Sequence, residues 1–441
     1  MTDLPHIEDP FVLPCGQRLS NRLVKAAMTE GVADARNLAT SGHASLYRTW
    51  AKAGAAVQIT GNVMIDYQVL ERPGNVVIDR QQAHTFGPEA RAALQTWASA
   101  AKSEGGEVWM QLSHAGRQSP RYVTGRPLAP SPVSVGLLGL YAKPRALRDA
   151  EIAELPERFA FAADVARDAG FTGVQIHSAH GYLLSSLLSP WTNRREPPYG
   201  GTIEARARCL LETIEAVRAR VGNDFAVTVK LNSDDFRKGG FTQADCLQVV
   251  ALLNAAGIDA LELSGGTYEQ PQLLGFAGKP DSEVSVRAST RQREAYFLSY
   301  AEDVRKIARM PLMVTGGFRT RAGMDGALAD QACDLIGIAR PYLTDPLSVR
   351  QLLQHQQEAL PAPERQQYIR PRGLLSPTSP FLLGRVLNVI GAVGWTYHQI
   401  FRQAADLPVE PRRGLVRSFM QHWWRECRAA FAMHRARAGG R

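Results

Sequence analysis

The stretch Val174-Gln175-Ile176-His177-Ser178-Ala179-His180-Gly181-Tyr182-Leu183 has the pattern of a buried strand that runs into a polar loop. Its first residues are apolar and β-branched, as a strand prefers. His177, His180 and Tyr182 follow where such a strand leaves a core. Buried polar side chains need partners, so these three predict a site that grips a polarised oxygen and supplies a proton. The alternative is that they are polar residues satisfied within the protein.

Other short apolar runs resemble this strand, and amphipathic stretches separate most of them. The predicted strands are Arg22–Thr29, Ala55–Asn62, Glu107–His114, Gly173–His180, Phe225–Ser233, Ala260–Gly265, Pro311–Gly316 and Asp334–Arg340. The predicted helices between them cover residues 44–53, 87–103, 151–169, 203–221, 243–256, 294–309 and 321–330. This alternation predicts an α/β protein with a (β/α)8 barrel, the TIM barrel; an open, doubly wound sheet is the alternative.

Composition places the chain among globular proteins with a sizeable core. It has 441 residues, 45% of them apolar and 21% charged, which suits one large barrel or two to three ordinary domains. The net charge of +9 belongs to residues 361–441, which hold 13 basic and 4 acidic side chains, while residues 1–360 are neutral. The excess of basic residues therefore lies in the C-terminal tail and not in the part of the chain that contains the predicted strands.

The five cysteines lie far apart without a CxxC pair, which argues against a zinc ribbon or a local iron–sulfur cluster. The predicted strand ends also lack histidines and carboxylates at metal-ligand spacing, so no metal is expected. Residues 1–14 lack the apolar core of a signal peptide. A cytoplasmic, reducing compartment is therefore expected.

In a (β/α)8 barrel the chemistry lies at the carboxyl ends of the strands. Here those ends carry hydrogen-bonding side chains and the glycine pairs Gly265-Gly266 and Gly316-Gly317, and Arg340 closes the last strand. Glycines let backbone N–H groups approach a ligand, and a guanidinium can clamp an anion. These positions predict a phosphate site, although glycine pairs are also common in simple turns.

Lys230 closes the fifth predicted strand and would place a cation in the barrel mouth, where an unpaired charge is costly to bury. An anionic or electron-accepting ligand would offset that cost. A salt bridge to Asp234 or Asp235 is the simpler alternative. A lysine there could also form a Schiff base in a phosphate-handling lyase or isomerase.

Specific motifs are spread along the strand region. They are Leu19-Ser20-Asn21-Arg22-Leu23-Val24, Gln111-Leu112-Ser113-His114-Ala115-Gly116-Arg117, Ile176–Leu183, Leu188-Ser189-Pro190, Asn193-Arg194-Arg195 with Tyr199-Gly200-Gly201, and Ile338-Ala339-Arg340-Pro341. Together they resemble the Old Yellow Enzyme family of FMN-dependent NADH:flavin oxidoreductases, from about residue 9 to residue 350.

The resemblance implies an FMN site in the barrel mouth. The implied contacts of the flavin ring are Thr29 at its O4 and N5 edge, Ala26, Ala27 and Met28 along the ring, Gly61 over its face, Gln111 at the pyrimidine end and Lys230 facing N1 and O2. The implied phosphate contacts are Gly316, Gly317, Ala339 and Arg340. His177 and His180 would grip the substrate, and Tyr182 would donate a proton.

The reaction implied by the resemblance is the reduction of an alkene conjugated to a carbonyl or nitro group. NADH or NADPH would reduce the flavin, flavin N5 would deliver a hydride to the β-carbon, and Tyr182 would protonate the α-carbon. Dienoyl thioester reductases and demethylases are alternatives within the same resemblance. The expected partner is a small-molecule alkene, a homo-oligomer is allowed, and no nucleic acid is expected.

The chain also departs from the family pattern. A tyrosine that often follows the first strand is absent, and Gly31 stands near its place, which affects substrate scope. The segment Arg195-Glu196-Pro197-Pro198 replaces the usual Arg-Thr-Asp before Tyr199. Larger relatives add a four-cysteine cluster and a dinucleotide domain that this sequence lacks. A one-domain flavin enzyme over residues 9–350 is therefore predicted.

After the barrel, residues 351–380 are predicted to be a linker and residues 381–441 a basic, mainly helical extension. Its first helix carries an arginine, an asparagine and glycines, so a membrane span is not expected. In the second helix the apolar residues repeat every four positions, at Leu415, Phe419, Trp423, Cys427 and Phe431. That stripe with its arginines suits peripheral membrane contact, while packing against the barrel or a partner subunit is the alternative. A scaffold whose tail carries the function is a further alternative.

Overall fold

The computed structural model describes residues 4–137, 139–266 and 298–439. Eight parallel strands form a closed barrel, because the first strand pairs with both the second and the last. Numbered in chain order, they are β1 Leu23–Lys25, β2 Val57–Met64, β3 Glu107–Ser113, β4 Gly173–Ser178, β5 Ala226–Asn232, β6 Ala260–Ser264, β7 Leu312–Thr315 and β8 Leu335–Ile338. The (β/α)8 barrel is confirmed, and each strand lies inside a predicted run except β2, which continues two residues beyond the predicted end at Asn62.

The helices surround the barrel, and the extension adds two more. They are α1 Ser41–Ala51, α2 Pro88–Ala101, α3 Asp149–Ala153, α4 Leu155–Asp168, α5 Leu183–Leu188, α6 Ile203–Val221, α7 Gln243–Leu253, α8 Leu298–Arg305, α9 Arg321–Ala329, α10 Leu347–Leu353, α11 Leu382–Ala404 and α12 Leu415–Gly439. The helix predicted over residues 151–169 is two helices. Pro156 lies in the first turn of α4, where its missing N–H costs nothing. Residues 294–297 of another predicted helix lie outside the described residues.

The interior of the barrel has an apolar floor and a polar upper layer. Trp109, Met313 and Leu335 are among the buried residues of the floor. Side chains along a strand alternate between the two faces, so the residue two positions after an inward one also faces the axis. Gln111 and Ser113 therefore stand above Trp109, on the side where the strands end.

The extension, residues 382–439, packs on the barrel. Trp50 of α1 donates from Nε1 to Gln403 of α11 at 3.0 Å. Gln403 in turn donates to the carbonyl oxygens of Tyr342 and Leu343, both at 3.1 Å. Both links are buried, so α11 is anchored beside the first helix and the loop after the last strand.

Helices α11 and α12 run parallel and approach closely. A Cβ on Gly391 would lie 2.8 Å from the Cβ of Leu415, and one on Gly394 would lie 2.8 Å from the carbonyl oxygen of Ser418. The glycines are therefore required at this crossing. The segment that joins the two helices runs back along α11, which allows them to be parallel. Within it, the carbonyl oxygen of Pro411 accepts a hydrogen bond from Nε1 of Trp395 at 3.2 Å.

The buried face of α12 differs from the predicted stripe. It consists of Leu415, Ser418, Glu426, Ala430 and Met433. Of the predicted stripe only Leu415 is buried, Phe419 is half-buried, and Trp423, Cys427 and Phe431 are exposed. The prediction that this stripe is the face that packs on the protein was therefore wrong. The face that does pack includes the polar residues Ser418 and Glu426. Among the described helices, none is long and apolar enough to cross a bilayer.

Candidate active site

His177 and His180 meet at the end of β4. Their ring centroids are 5.2 Å apart with the rings edge to face. Burial, His180 and Lys230 hold the pKa of His177 well below its usual range; burial and Lys230 do the same for His180. Both rings are therefore neutral at neutral pH, so each has one N–H and one acceptor nitrogen.

The tautomer of His177 follows from its backbone contact. Its Nδ1 accepts a hydrogen bond from the backbone N–H of Ala179 at 3.2 Å. The proton is then on Nε2, which is left as a donor. His180 has a left-handed backbone (φ +60°), and its N–H donates to Oδ1 of Asn232 at 3.0 Å. Its Nε2 is 2.7 Å from the hydroxyl of Ser264 on β6, which fixes the ring.

Tyr182 completes the predicted cluster. Its ring centroid is 4.7 Å from that of His177, and the side chain is buried. Tyr182 is also the residue that precedes the first turn of α5, with an extended backbone. The three residues expected from the sequence are thus brought together at one strand end.

Lys230 is held by a buried network that crosses four strands, β3 to β6. Its Nζ is 2.8 Å from Oε1 of Glu262. The amide of Gln175 donates to Oε2 of Glu262 at 2.8 Å and accepts from Nε2 of Gln111 at 2.7 Å. The alternative for Lys230, a salt bridge, is therefore the arrangement observed, but the partner is Glu262 and not Asp234 or Asp235.

Two members of that network were missed in the sequence. Gln175 lies two residues before His177, and Glu262 lies two residues before Ser264. Strand alternation places both on the inward face, so this signal was present. The strand register agrees with this inward orientation, since Lys230 of β5 is aligned with His177 of β4 on one side and with Glu262 of β6 on the other.

Thr29, in the loop after β1, and Gly61, within β2, both meet acidic residues. The Thr29 hydroxyl donates to Oε2 of Glu71 at 2.9 Å, and Asn62 donates to the same oxygen at 2.9 Å. The N–H of Gly61 donates to the buried carboxyl of Glu30 at 2.8 Å. A Cβ on Gly61 would collide with Glu30 and with the backbone of Met28 and Thr29. Neither acid was singled out in the sequence, because both lie in loops.

The remaining ring-lining residues follow β1. Ala26 is buried and donates from its N–H to the carbonyl oxygen of Ile338 at 2.8 Å, which continues the pairing of β1 with β8. Ala27 and Met28 are half-buried. All three therefore lie on the mouth side of β1, beside the end of β8.

The predicted phosphate residues lie at the adjacent ends of β7 and β8. Gly316 and Gly317 both have positive φ, at 119° and 90°, which suits glycine alone. Thr315 is aligned with Gly337, so the two strand ends are neighbours. Ala339 and Arg340 follow, and Arg340 begins a short 3-10 turn. Two successive left-handed glycines beside an arginine are chemically suited to a phosphate.

The mouth also contains buried polar atoms that lack a hydrogen-bond partner among the described residues. They include the inward hydroxyls of Ser113 and Thr315 and Oδ1 of Asn62. Buried polar atoms are rarely left unpaired in a finished protein. A polar ring with several acceptors and donors, and a phosphate at β7 and β8, would use these groups. The residues present therefore fit FMN.

Among residues 4–137, 139–266 and 298–439, no three His, Cys, Asp or Glu side chains are grouped to hold a metal ion. All five cysteines are free thiols.

Comparison with known proteins agrees with this geometry. Residues 9–359 match the NADH:flavin oxidoreductase / NADH oxidase family. The chain is 37% identical over 360 residues to an NADH-dependent flavin oxidoreductase of Hypocrea jecorina, covering 78% of this chain and 87% of the relative. It is 31% identical over 331 residues to an NADH oxidase of Thermoanaerobacter brockii, covering 74% of this chain and 48% of the relative.

Solved structures give the same result. An old yellow enzyme homologue from Zymomonas mobilis superposes with a TM-score of 0.67 at 25% identity, covering 82% of this chain and 96% of that one. Morphinone reductase superposes with a TM-score of 0.65 at 23% identity, covering 82% and 93%, which shows a shared fold.

Proposed function

The chain belongs to the NADH:flavin oxidoreductase family, and we propose that it reduces activated alkenes, in which a C=C bond is conjugated to a carbonyl or nitro group. As a family member it is an FMN-binding oxidoreductase. The observation that carries the finer proposal is the cluster of His177, His180 and Tyr182, in which the His177 ring centroid lies 5.2 Å from that of His180 and 4.7 Å from that of Tyr182.

FMN would be held by the residues already described around the mouth. Thr29, Gly61, Gln111 and Lys230 would meet the ring beside Ala26, Ala27 and Met28, and Gly316, Gly317, Ala339 and Arg340 would hold the phosphate. When bound, FMN relays hydride from NADH or NADPH to the alkene. Lys230 supplies a fixed positive charge that favours an anionic ring, and Glu262 and Gln175 keep it in place.

The histidines polarise the substrate. His177 donates from Nε2 to the activating oxygen, because its Nδ1 is committed to the backbone of Ala179. His180 supplies the second contact, with its ring fixed by Ser264. Neutral donors aimed at an oxygen that gains negative charge stabilise the enolate in a site that excludes water. Tyr182 then transfers its phenolic proton to the α-carbon, since a phenol retains that proton at neutral pH.

Separate measurement of the two half-reactions tests the proposal. The FMN-loaded protein is first reduced with NADH or with NADPH in the absence of oxygen, and the loss of yellow colour is followed. Reoxidation is then followed with enones, nitroalkenes, quinones and a dienoyl thioester. Rapid reoxidation by enones or nitroalkenes supports the proposal. Reduction by nicotinamide without reoxidation by any conjugated alkene rejects it and leaves the other substrates of the family.

A Schiff-base lyase is disfavoured by the same network. Lys230 is paired at 2.8 Å with a buried carboxylate, an arrangement that suits a fixed ammonium and not a nucleophilic amine. Borohydride should therefore fail to trap a substrate on Lys230.

We also propose that the outward face of α12 makes peripheral contact with an anionic membrane surface. Val416, Met420, Trp424 and Phe431 are 55%, 66%, 59% and 65% exposed on this face. The arginines beside them include Arg417, Arg428 and Arg435. The sole acid of α12, Glu426, is buried on the other side, so the outward face is wholly cationic. Two copies joined through this face would place arginines against arginines, which disfavours a homodimer here.

Vesicle flotation tests this contact. We expect the protein to bind phosphatidylserine-containing vesicles, to bind phosphatidylcholine vesicles weakly, and to dissociate at high salt. Trp424→Ser with Phe431→Ser should reduce binding, while Leu347→Ser, at a similarly exposed position on α10, should not. Equal binding to both lipids, or a concentration-dependent dimer that the double variant abolishes, contradicts the membrane proposal.

A further inference from the structure

The loop after β2 carries two adjacent charged residues with different partners. Glu71 contacts Thr29 and Asn62 at the strand ends. The next residue, Arg72, contacts the extension: its Nη2 is paired with Glu426 of α12, and both side chains are buried. The loop is therefore connected both to the flavin side of the mouth and to a segment beyond the family match, which ends at residue 359.

Arg72 is sandwiched between Gly31 and Tyr397. Its Cζ lies 3.5 Å from the ring centroid of Tyr397 in α11. On the other side, a Cβ on Gly31 would come within 2.8 Å of the same Cζ and 3.0 Å of Nη1. Gly31 thus makes room for the guanidinium. It stands near the place where the family pattern often has a tyrosine after the first strand. The aromatic ring at this place belongs to Tyr397 of the extension.

Arg72 retains unused hydrogen-bonding capacity. Its side chain is 4% exposed, and Nε and Nη1 have no acceptor among the described residues. An unsatisfied buried N–H of a charged group is costly. Arg158, which contacts the same loop, differs at its terminal nitrogens: its Nε also lacks a partner, but its Nη1 pairs with Asp66, and its Nη2 reaches Asp79 and the carbonyl oxygen of Ile65. The guanidinium of Arg72 lies against Gly31, two residues after Thr29, so its unpaired N–H groups suit an oxygen acceptor supplied by a ligand.

We propose that Arg72 is a specificity residue that binds a second, neutral carbonyl oxygen of the substrate, and that Tyr397 and Glu426 of the extension position it. The histidine clamp stands on the β4 side of the mouth and Arg72 on the β1 and β2 side, so the two groups would hold different ends of one ligand. A neutral carbonyl is favoured over a carboxylate because Glu426 already balances the charge of Arg72, and Glu71 adds a negative charge nearby.

The inference rests on the proposed function only for the orientation of the ligand, so equilibrium binding without reductant tests it separately from turnover. The probes are phenols, which a pair of histidine donors can hold. 4-Hydroxybenzaldehyde and 4-hydroxyphenylacetone carry a second, neutral carbonyl, 4-trifluoromethylphenol carries none, and 4-hydroxybenzoate carries a carboxylate. Dissociation constants are measured by calorimetry on the FMN-loaded protein.

Arg72→Met should weaken at least one carbonyl phenol by about tenfold relative to 4-trifluoromethylphenol, as expected for a lost bond to a charged donor. Glu426→Gln and Tyr397→Ala should each reduce that preference in part, and wild type should bind 4-hydroxybenzoate more weakly than the aldehyde. Arg158→Met should keep the preference, since its nitrogens face other partners.

If Arg72→Met alone does not fold, the double variant Arg72→Met with Glu426→Gln removes both buried charges, a change that proteins often tolerate. A variant that loses the carbonyl phenols and 4-trifluoromethylphenol equally, or loses neither, overturns the proposal. Binding with the expected preference but without alkene turnover would instead reject the proposed function and leave this inference standing.

Discussion

The barrel and the extension both bury charged side chains, but the two sets are arranged differently. The barrel holds a chain of contacts at the level of the mouth, formed by Lys230, Glu262, Gln175 and Gln111. Beside it lie hydroxyls that have no partner in the described part of the chain. In the extension, Glu426 pairs with a single arginine of the barrel and closes a contact between two surfaces. The first arrangement prepares a cavity for a ligand, and the second fixes one part of the chain on another. Disrupting the first should therefore reduce catalysis, whereas disrupting the second should reduce stability in addition to the binding preference proposed for Arg72.

The largest effect is expected at Tyr182. Replacing it with phenylalanine removes the proton donor and leaves the ring that packs 4.7 Å from His177. We expect reoxidation by an enone to slow by about 10²–10⁴-fold, the usual contribution of a general acid. Reduction by NADH needs no such proton and should change little. Stopped-flow absorbance of the two half-reactions is the measurement.

Equal slowing of both half-reactions by Tyr182→Phe would show that the phenol supports the site as a whole. Thermal unfolding of the variant provides the control, since the barrel should retain its melting temperature. This outcome would also weaken the contrast between the barrel mouth and the extension, because a residue of the mouth would then act by supporting the fold and not by donating a proton.

A comparably large effect, now on stability, is expected at Glu426. Glu426→Ala leaves the buried guanidinium of Arg72 without its partner, which should cost about 3–5 kcal/mol of unfolding free energy. The loss should disappear largely in the double variant with Arg72→Met, because no buried charge remains. Urea unfolding followed by tryptophan fluorescence measures both. If the single variant loses less than about 1 kcal/mol of unfolding free energy, the Arg72–Glu426 pair contributes no more than an exposed ion pair does. That result would contradict the view that the pair fixes the extension on the barrel.

The same contrast explains what the sequence could predict. In the barrel, the eight strands and the cluster of His177, His180 and Tyr182 followed from short apolar runs and from the rule that strand ends carry the chemistry. Gln175 and Glu262 could have been found by counting two residues from His177 and Ser264, because strand alternation fixes their face. Glu71 and Arg72 could not, since their positions depend on the path of a loop and on what packs above it.

The face of α12 was hidden for a different reason. Periodicity identifies an apolar stripe, and this helix has apolar residues on its exposed side as well. Its buried side includes Ser418, whose hydroxyl donates to the carbonyl oxygen of Gly414 at 2.9 Å, and Glu426, which meets Arg72. Both polar residues are acceptable in the interface because each has a partner. A docking face of this kind is defined by the surface it meets, and the sequence of the helix does not contain that surface.

The smallest effect is a pH dependence that should belong to the barrel alone. Lys25 is fully buried on β1, its Nζ donating to the carbonyl oxygens of Ala26 and Ile59 at 3.1 and 2.7 Å. Burial lowers its pKa to about 7, and the nearby charge of Glu30 opposes the shift only in part. The ordinary pKa of a lysine is about 10.4. Above pH 7 the unfolded chain therefore holds a proton that the folded chain has released, so the unfolding free energy rises with pH.

The rise should be steepest between pH 7 and pH 8 and should stay below about 1.4 kcal/mol per pH unit, the value for one whole proton, and urea unfolding at several pH values would measure it. Lys25→Met should flatten this rise. Above pH 9 the slope should reverse, because burial raises the pKa of Cys209, Cys246 and Cys333 to about 12 while thiols of the unfolded chain ionise earlier. A slope that persists in Lys25→Met and disappears in Glu426→Gln would assign the pH dependence to the extension and reverse the comparison.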